Sequence, residues 1–488
     1  MSSMNALLAI SALAFAGVVQ CQSNNIASSC SSTLQTTATP SVAAGYVARL
    51  VANKLESPRG IKFDDAGNLL VVESGVGITA LKIRDDGGGC FSSPSRKTVV
   101  SNEDLNHGIE MSSDGSTLYG SSTEAVYSWD YSSGNQKTTS KPQTLVTNMT
   151  NSDHTTRTLL LSRMVPGMLV VTRGSTSNID PQAENLGSGH SQIKAFNMTN
   201  MTSEYDFNRD GLLLGWGLRN DVGIDEEPTT GGLYSVENSV DEMTRNGVDI
   251  HQSNPGEELN FLGYLNGTKS SNQGRNFGYP MCYSAWNTDT IPQFNGEVGQ
   301  QFAIGKLGSN NSDSMCSPSE VQDARLVFHP HMAPLDILFN DAGTAAWITF
   351  HGSWDSDPAV GYKLSVVEFE NGEPTEPSTS KTAVVDILSN EDTAGCSNGG
   401  CFRPVGLAWD SNGVLFMSSD ETGEIYAVLR DNGDATSSAG SNATGTVPSP
   451  TTGTTGGSSS SSPSSTNVAS ATNMSVLAVV FGILAFIV

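Results

Sequence analysis

One phrase recurs along this chain: a hydrophobic pair, a turn built on Asp or Ser with Gly, and then a β-rich strand. Clear copies are PRGIKFDDAGNLLVVES from Pro58, NHGIEMSSDGSTLYGSS from Asn106 and FRPVGLAWDSNGVLFMSSD from Phe402, with looser copies near His154, Leu218 and Pro334. Six units of short strands at this period predict an all-β chain folded as a six-bladed β-propeller. Ile61, Phe63, Leu69 and Val71 alternate as strand residues do, and Asp65-Ala66-Gly67-Asn68 and Asp410-Ser411-Asn412-Gly413 supply turns. Ser121 to Tyr131 and Thr422 to Leu429 read as outer strands of their blades, and no long amphipathic helix is evident. Because a propeller gathers loops from every blade around one mouth, a single site assembled from distant residues is expected there.

The repeats place the propeller domain at 41–432 of the 488 residues. Ahead of it, the apolar run Leu7 to Val19, followed by polar Gln20, reads as a signal peptide over 1–20. Behind it, a Ser/Thr-rich composition predicts a disordered C-terminal stalk over 433–466. The apolar tail Val476 to Val488 is too short to span a bilayer comfortably and marks a glycosylphosphatidylinositol (GPI) anchor signal over 467–488. The expectation is a secreted, cell-surface protein that meets the membrane only through a lipid anchor. Of the seven cysteines, Cys21 falls at the signal junction, and the simplest pairing of the rest is 30–90, 282–316 and 396–401. Sequons at Asn148, Asn197, Asn200, Asn266, Asn310 and Asn442 suit a glycosylated surface. A net charge of -25 argues against a nucleic-acid partner and makes each basic residue inside a blade phrase informative.

Five segments carry candidate chemistry. His154 follows Asp153 at the start of a blade, where an imidazole can serve as a general base at the mouth. Arg219-Asn220 opens another blade with a rigid donor fork and an amide, suited to a polar planar ligand. The acidic stretch Glu237 to Glu242 offers carboxylate and carbonyl oxygens of the kind calcium takes. His329-Pro330-His331 with His351 can either bind a transition metal or line a pocket. Arg403 enters the last blade as Arg59 enters the first. Arg59, Arg219 and Arg403 thus stand at equivalent points of three blades, which in so acidic a chain points to an anionic ligand on the axis.

Together these motifs resemble the glucose/sorbosone dehydrogenase family of six-bladed propellers that bind pyrroloquinoline quinone (PQQ), and among them the fungal pyranose dehydrogenases. The resemblance covers about Ser57 to Arg430. It is carried by Asp-His-x-x-x-Arg at Asp153, Leu-Arg-Asn at Leu218, Gly-x-Asn-Phe-Gly-Tyr-Pro at Gly274, His-Gly-Ser-Trp at His351 and Phe-Arg-Pro-Val-Gly-Leu at Phe402. It implies oxidation of a pyranose at C1 by hydride transfer to PQQ, with His154 as base and Arg219 polarising the quinone oxygens. Asn220, His331, Arg403 and Arg59 would bind the cofactor, and the backbone carbonyls of Ser239 and Val240 would hold Ca2+. Electrons would leave to an external acceptor, a cytochrome or another redox enzyme, since no haem Cys-x-x-Cys-His is present. The chain departs from the family where Cys401 takes the place of a second arginine, where Asp355-Ser356-Asp357 supplies no base, and where Asn238 replaces a Gln; Lys363 is the nearest substitute cation. Two other readings share the architecture: a calcium-dependent, lactonase-like hydrolase and a non-catalytic surface-binding propeller.

Overall fold

The computed structural model describes residues 29–438 apart from 32–33, 309–310 and 397–398, and builds them into six sheets of at least four strands each. The expected signal peptide, the anchor signal, most of the stalk, Asn310 and Asn442 lie outside the described residues. Each copy of the recurring phrase supplies the first two strands of one blade. The first strands are Pro58–Phe63, Leu105–Met111, Leu159–Leu161, Asp221–Glu226, Pro334–Phe339 and Pro404–Trp409 in blades 1 to 6. The second strands are Asn68–Glu73, Thr117–Ser122, Met168–Arg173, Gly232–Glu237, Ala345–Phe350 and Leu415–Ser419. No α-helix occurs among the described residues, only short 3-10 turns.

The glycine of the phrase has a steric cause. A Cβ on Gly60 would stand 2.3 Å from the His107 carbonyl oxygen, and one on Gly108 would stand 2.1 Å from that of Arg157. First strands of neighbouring blades therefore pass backbone to backbone around the axis, and a side chain at these points would force them apart.

Second strands such as Asn68–Glu73 and Ala345–Phe350 are buried at every position, because successive side chains point to opposite faces and each blade has a neighbour on both. The six largest apolar clusters lie one between each pair of adjacent blades. Between blades 6 and 1, fully buried Phe416 meets Phe63 and Phe91 edge-on at 4.9 and 5.5 Å. Burial of this kind contributes about 1.5–3 kcal/mol per large side chain.

Ring closure corrects one expectation. Ser121 to Tyr131 and Thr422 to Leu429, expected as outer strands, hold Val126–Ser132 and Glu424–Arg430, the third strands of their blades; Gln143–Thr147 and Tyr46–Ala52 lie outside them, and in blade 2 Tyr205–Asp206 pairs beyond Gln143–Thr147. Tyr46–Ala52 precedes the first phrase, yet it pairs with Glu424–Arg430 of blade 6, so the two ends of the propeller are stitched together through backbone hydrogen bonds. No repeat pattern marks such a strand, because its partner is supplied from the other end of the chain.

The disulfides are 30–90, 282–316 and 396–401, as expected. The second pins an insertion that carries the hairpin Cys282–Ser284 and Gln301–Ala303 between the third and fourth strands of blade 4. After Arg430 the chain turns at the far end of the barrel. There Ser437 donates to the Gly413 carbonyl and accepts from Asn340 Nδ2, at the turns that link first to second strands. Sequon residues Asn148, Asn200 and Asn266 are exposed and Asn197 half-buried.

Candidate active site

Strand direction brings the candidate residues to one face. His154, Arg219, His331 and Arg403 precede first strands, Arg59 is near the start of one, and Ser239, His351 and Asp420 follow second strands, which run back to the same end. All lie at the mouth opposite Ser437. Two hollows open there. His154, Arg219, Asn220, Asn238, Ser239, Asp241, His331 and Asp355 line one; Arg59, His351, Arg403 and Asp420 line a neighbouring cavity of about 660 Å³. Their linings adjoin in the chain at His154-Thr155 and at His351-Gly352.

The His154 loop is held by its backbone. Asn151 Nδ2 donates to the His154 carbonyl at 3.2 Å and to that of Gly174 at 2.8 Å. Arg157, wholly buried, donates to the His154 carbonyl at 2.9 Å, so the Arg of the Asp-His-x-x-x-Arg motif is a brace for the loop. Gly174 lets the segments meet: a Cβ there would stand 2.6 Å from Asn220 Oδ1 and 2.8 Å from His154 Cβ.

Ser175 fixes the ring. Its Oγ lies 2.8 Å from His154 Nδ1 and donates its own proton to the Ser177 carbonyl at 2.8 Å. The hydroxyl therefore accepts from Nδ1–H, as does the Ser175 carbonyl at 3.2 Å. That tautomer leaves Nε2 with its lone pair. Burial, helped by the Arg219 guanidinium, pulls the His154 pKa down to about 3, so the imidazole is neutral at ordinary pH and able to accept a proton.

Arg219 is 3% exposed and held from three sides. Its guanidinium donates to Asn178 Oδ1 at 2.8 Å, to the Asn238 carbonyl at 3.1 Å and to Asp241 Oδ2 at 2.9 Å. Asn220 is 1% exposed, and its Nδ2 has no hydrogen-bond partner. An orphaned donor on a residue that lines a hollow suits an acceptor atom from a ligand.

In the larger hollow, Asp420 joins Arg59 Nη1 at 2.5 Å and His351 Nε2 at 2.8 Å. Burial would raise the Asp420 pKa, but His351 and Arg59 overcome it and hold the carboxyl well below its usual range. Arg403 donates to the carbonyls of His351 and Gly352 at 3.2 and 2.8 Å and lies 5.3 Å over the Tyr362 ring. The charge convergence expected from the sequence is thus corrected. The three arginines share the mouth, but Asp420 neutralises Arg59 and Asp241 neutralises Arg219, while Arg403 forms no ion pair among the described residues. Lys363 is spent on Asp386 at 2.8 Å and lines neither hollow.

The histidines expected as one possible metal set are not brought together. His329 Nδ1 turns to the Pro330 carbonyl and His351 to Asp420, whereas His331 stands 3.8 Å from Asp241. Ser239 lines the hollow and Val240 is buried; no hydrogen bond to either backbone carbonyl is found among the described residues. Sequence reasoning missed Ser175, Asn178 and Asp420, and had Asp241 only as part of an acidic stretch suited to calcium, not as the partner of Arg219.

A neutral imidazole with a free lone pair, a braced guanidinium and an orphaned amide form a pocket that can take a proton and bind an acceptor-rich planar group. Residues 40–431 match the model of the family described as TrAA12-like. The chain belongs to that family. A pyrroloquinoline quinone-dependent sugar dehydrogenase of Hypocrea jecorina is 48% identical over 402 residues, covering 81% of this chain and 90% of that protein. The pyrroloquinoline quinone-dependent pyranose dehydrogenase of Coprinopsis cinerea is 38% identical over 416 residues; the match covers 80% of this chain but 55% of that relative. Among solved members, the calcium structure of Trichoderma reesei family AA12 superposes with a TM-score of 0.79 at 47% identity, over 82% of this chain and 99% of that one. The holo PQQ domain of the Coprinopsis enzyme gives 0.75 at 35%, over 81% and 98%.

Proposed function

We propose that this chain is a quinone-dependent sugar dehydrogenase, oxidising a pyranose at C1 with PQQ as acceptor. The observation that carries the reading is His154, held in one tautomer beside Arg219 and the orphaned amide of Asn220. The pocket suits a carboxylated quinone: Asn220 Nδ2 lacks an acceptor, and Arg403 lacks a carboxylate. PQQ, when bound, supplies the site that takes the hydride. His154 Nε2 takes the proton of the C1 hydroxyl, and Ser175 keeps that nitrogen unprotonated beforehand. Arg219, fixed by Asn178 and Asp241, presents its charge without reorganising. Arg59 and Arg403 grip the far side, and His331 lines the near one. Ca2+ would sit at the carbonyls of Ser239 and Val240, which have no competing donor. The three disulfides support an exported enzyme. A lipid anchor and an external acceptor complete the reading.

Protein loaded with PQQ and Ca2+ is expected to reduce an artificial dye when given aldoses, and His154→Ala to lower turnover by roughly two to four decades while retaining quinone. Failure across a broad sugar panel, or full turnover without His154, overturns it.

A further inference from the structure

The disulfide-pinned insertion of blade 4 encloses a cavity that the mechanism does not use. Its volume is about 340 Å³, and no residue of its lining belongs to either hollow at the mouth. The lining includes Phe294, the amides of Gln293, Asn295 and Gln300, and the carboxylates of Asp313 and Asp323. Cys316 also lines it, so the bond to Cys282 holds that wall in place.

The two carboxylates differ in what they have left to offer. Asp313 is engaged: Oδ1 and Oδ2 each accept from buried Arg245 at 2.8 Å, and Oδ1 also accepts from the Ala303 N–H at 2.9 Å. Asp323 keeps an oxygen free, since its Oδ1 has no hydrogen-bond partner. Burial raises its pKa against one opposing backbone N–H, that of Gln301, and no cation helps to hold its charge. The aromatic wall is fixed as well. Phe294 is half-buried and packs 5.7 Å from the Phe302 ring. A Cβ on Gly296 would stand 2.4 Å from Phe294 Cζ, so the ring lies against a turn that a side chain would push away. Gln300 Oε1 accepts from the Glu297 N–H at 2.9 Å, which leaves its amide N–H groups for another partner, and Gln293 and Asn295 are exposed.

We propose that this cavity binds a neutral oligosaccharide, at a place separate from the mouth. Side-chain amides carry donor and acceptor side by side, as the vicinal hydroxyls of a sugar do, and Asp323 Oδ1 can accept a hydroxyl proton. Phe294 offers an apolar surface to the C–H face of a pyranose. No Lys, Arg or His lines the cavity, which disfavours an anionic ligand. A calcium ion is also disfavoured, because it takes about six to eight oxygens and those of Asp313 are already engaged. The volume lies within the range that holds a small organic molecule and far exceeds what a bare ion fills. A sugar chain held here leaves both mouth hollows free. The inference stands whether or not the quinone reading holds.

Saturation-transfer NMR of the purified full chain, titrated with cellotetraose and separately with maltotetraose, tests it. At least one is expected to bind, with affinity lowered roughly tenfold in Asp323→Asn, which loses a charged acceptor, and roughly threefold in Asn295→Ala. Asn295 is exposed, and melting curves check that both variants fold. Absence of transfer to both sugars, wild-type affinity in either variant, or displacement of the sugar by CaCl2 overturns the proposal. The titration needs no quinone, so a failure of dye reduction leaves it intact, and its own failure leaves the quinone reading intact.

Discussion

Ser175→Ala isolates the device that sets the tautomer of His154. The substitution deletes the hydroxyl 2.8 Å from Nδ1 and leaves the weaker contact to the Ser175 carbonyl at 3.2 Å. Ser175 is wholly buried, so water cannot simply replace the lost acceptor. A net hydrogen bond of this kind is worth roughly 0.5–1.5 kcal/mol. At about 1.4 kcal/mol per decade of rate, turnover is expected to fall roughly twofold to twelvefold. The fall should be confined to proton abstraction. Stopped-flow reduction of the loaded enzyme by excess sugar reads that step, and a quinone titration gives binding separately. Unchanged reduction would mean that the carbonyl alone orients the ring. A loss as deep as that of His154→Ala would mean that Ser175 does more than orient it, and either result refutes the reasoning.

Burial raises the pKa of Asp221 to about 7, above that of the unfolded chain, and outweighs the neighbouring Ser235, Glu237 and Asn260 side chains, which lower it. Such a group contributes stability below its unfolded pKa and loses it as pH rises through 7, so the melting-temperature advantage of Asp221→Asn should grow from pH 6 to pH 8; a constant difference refutes this. Replacing Cys282 and Cys316 together by Ser opens a loop whose ends are 34 residues apart and should cost about 3–4 kcal/mol in denaturant unfolding, with the six blades retained by circular dichroism.

Much of the fold was legible because its cause is local. The phrase glycine is demanded wherever first strands touch, and short apolar runs are demanded wherever a blade has a neighbour on each face. The closing strand Tyr46–Ala52 was not, since its partner is supplied from the other end of the chain. The candidate site divides in the same way. His154, Arg219 and Arg403 begin blades, so their place in the phrase put them at the mouth. Their partners follow no phrase: Asp420 lies 361 positions from Arg59, and Asn178 sits in an irregular loop 41 positions before Arg219. The arginines announced a charge that these partners largely cancel, and composition alone carries no information about pairing.

The last blade strand runs away from the mouth, and Ser437 is fastened to the turns at the opposite end. A tether continuing from that point would hold the propeller by its base, like a cup on a stem. The rim would look outward, where diffusing sugars and any electron-carrying protein arrive without passing between the cup and whatever surface bears it.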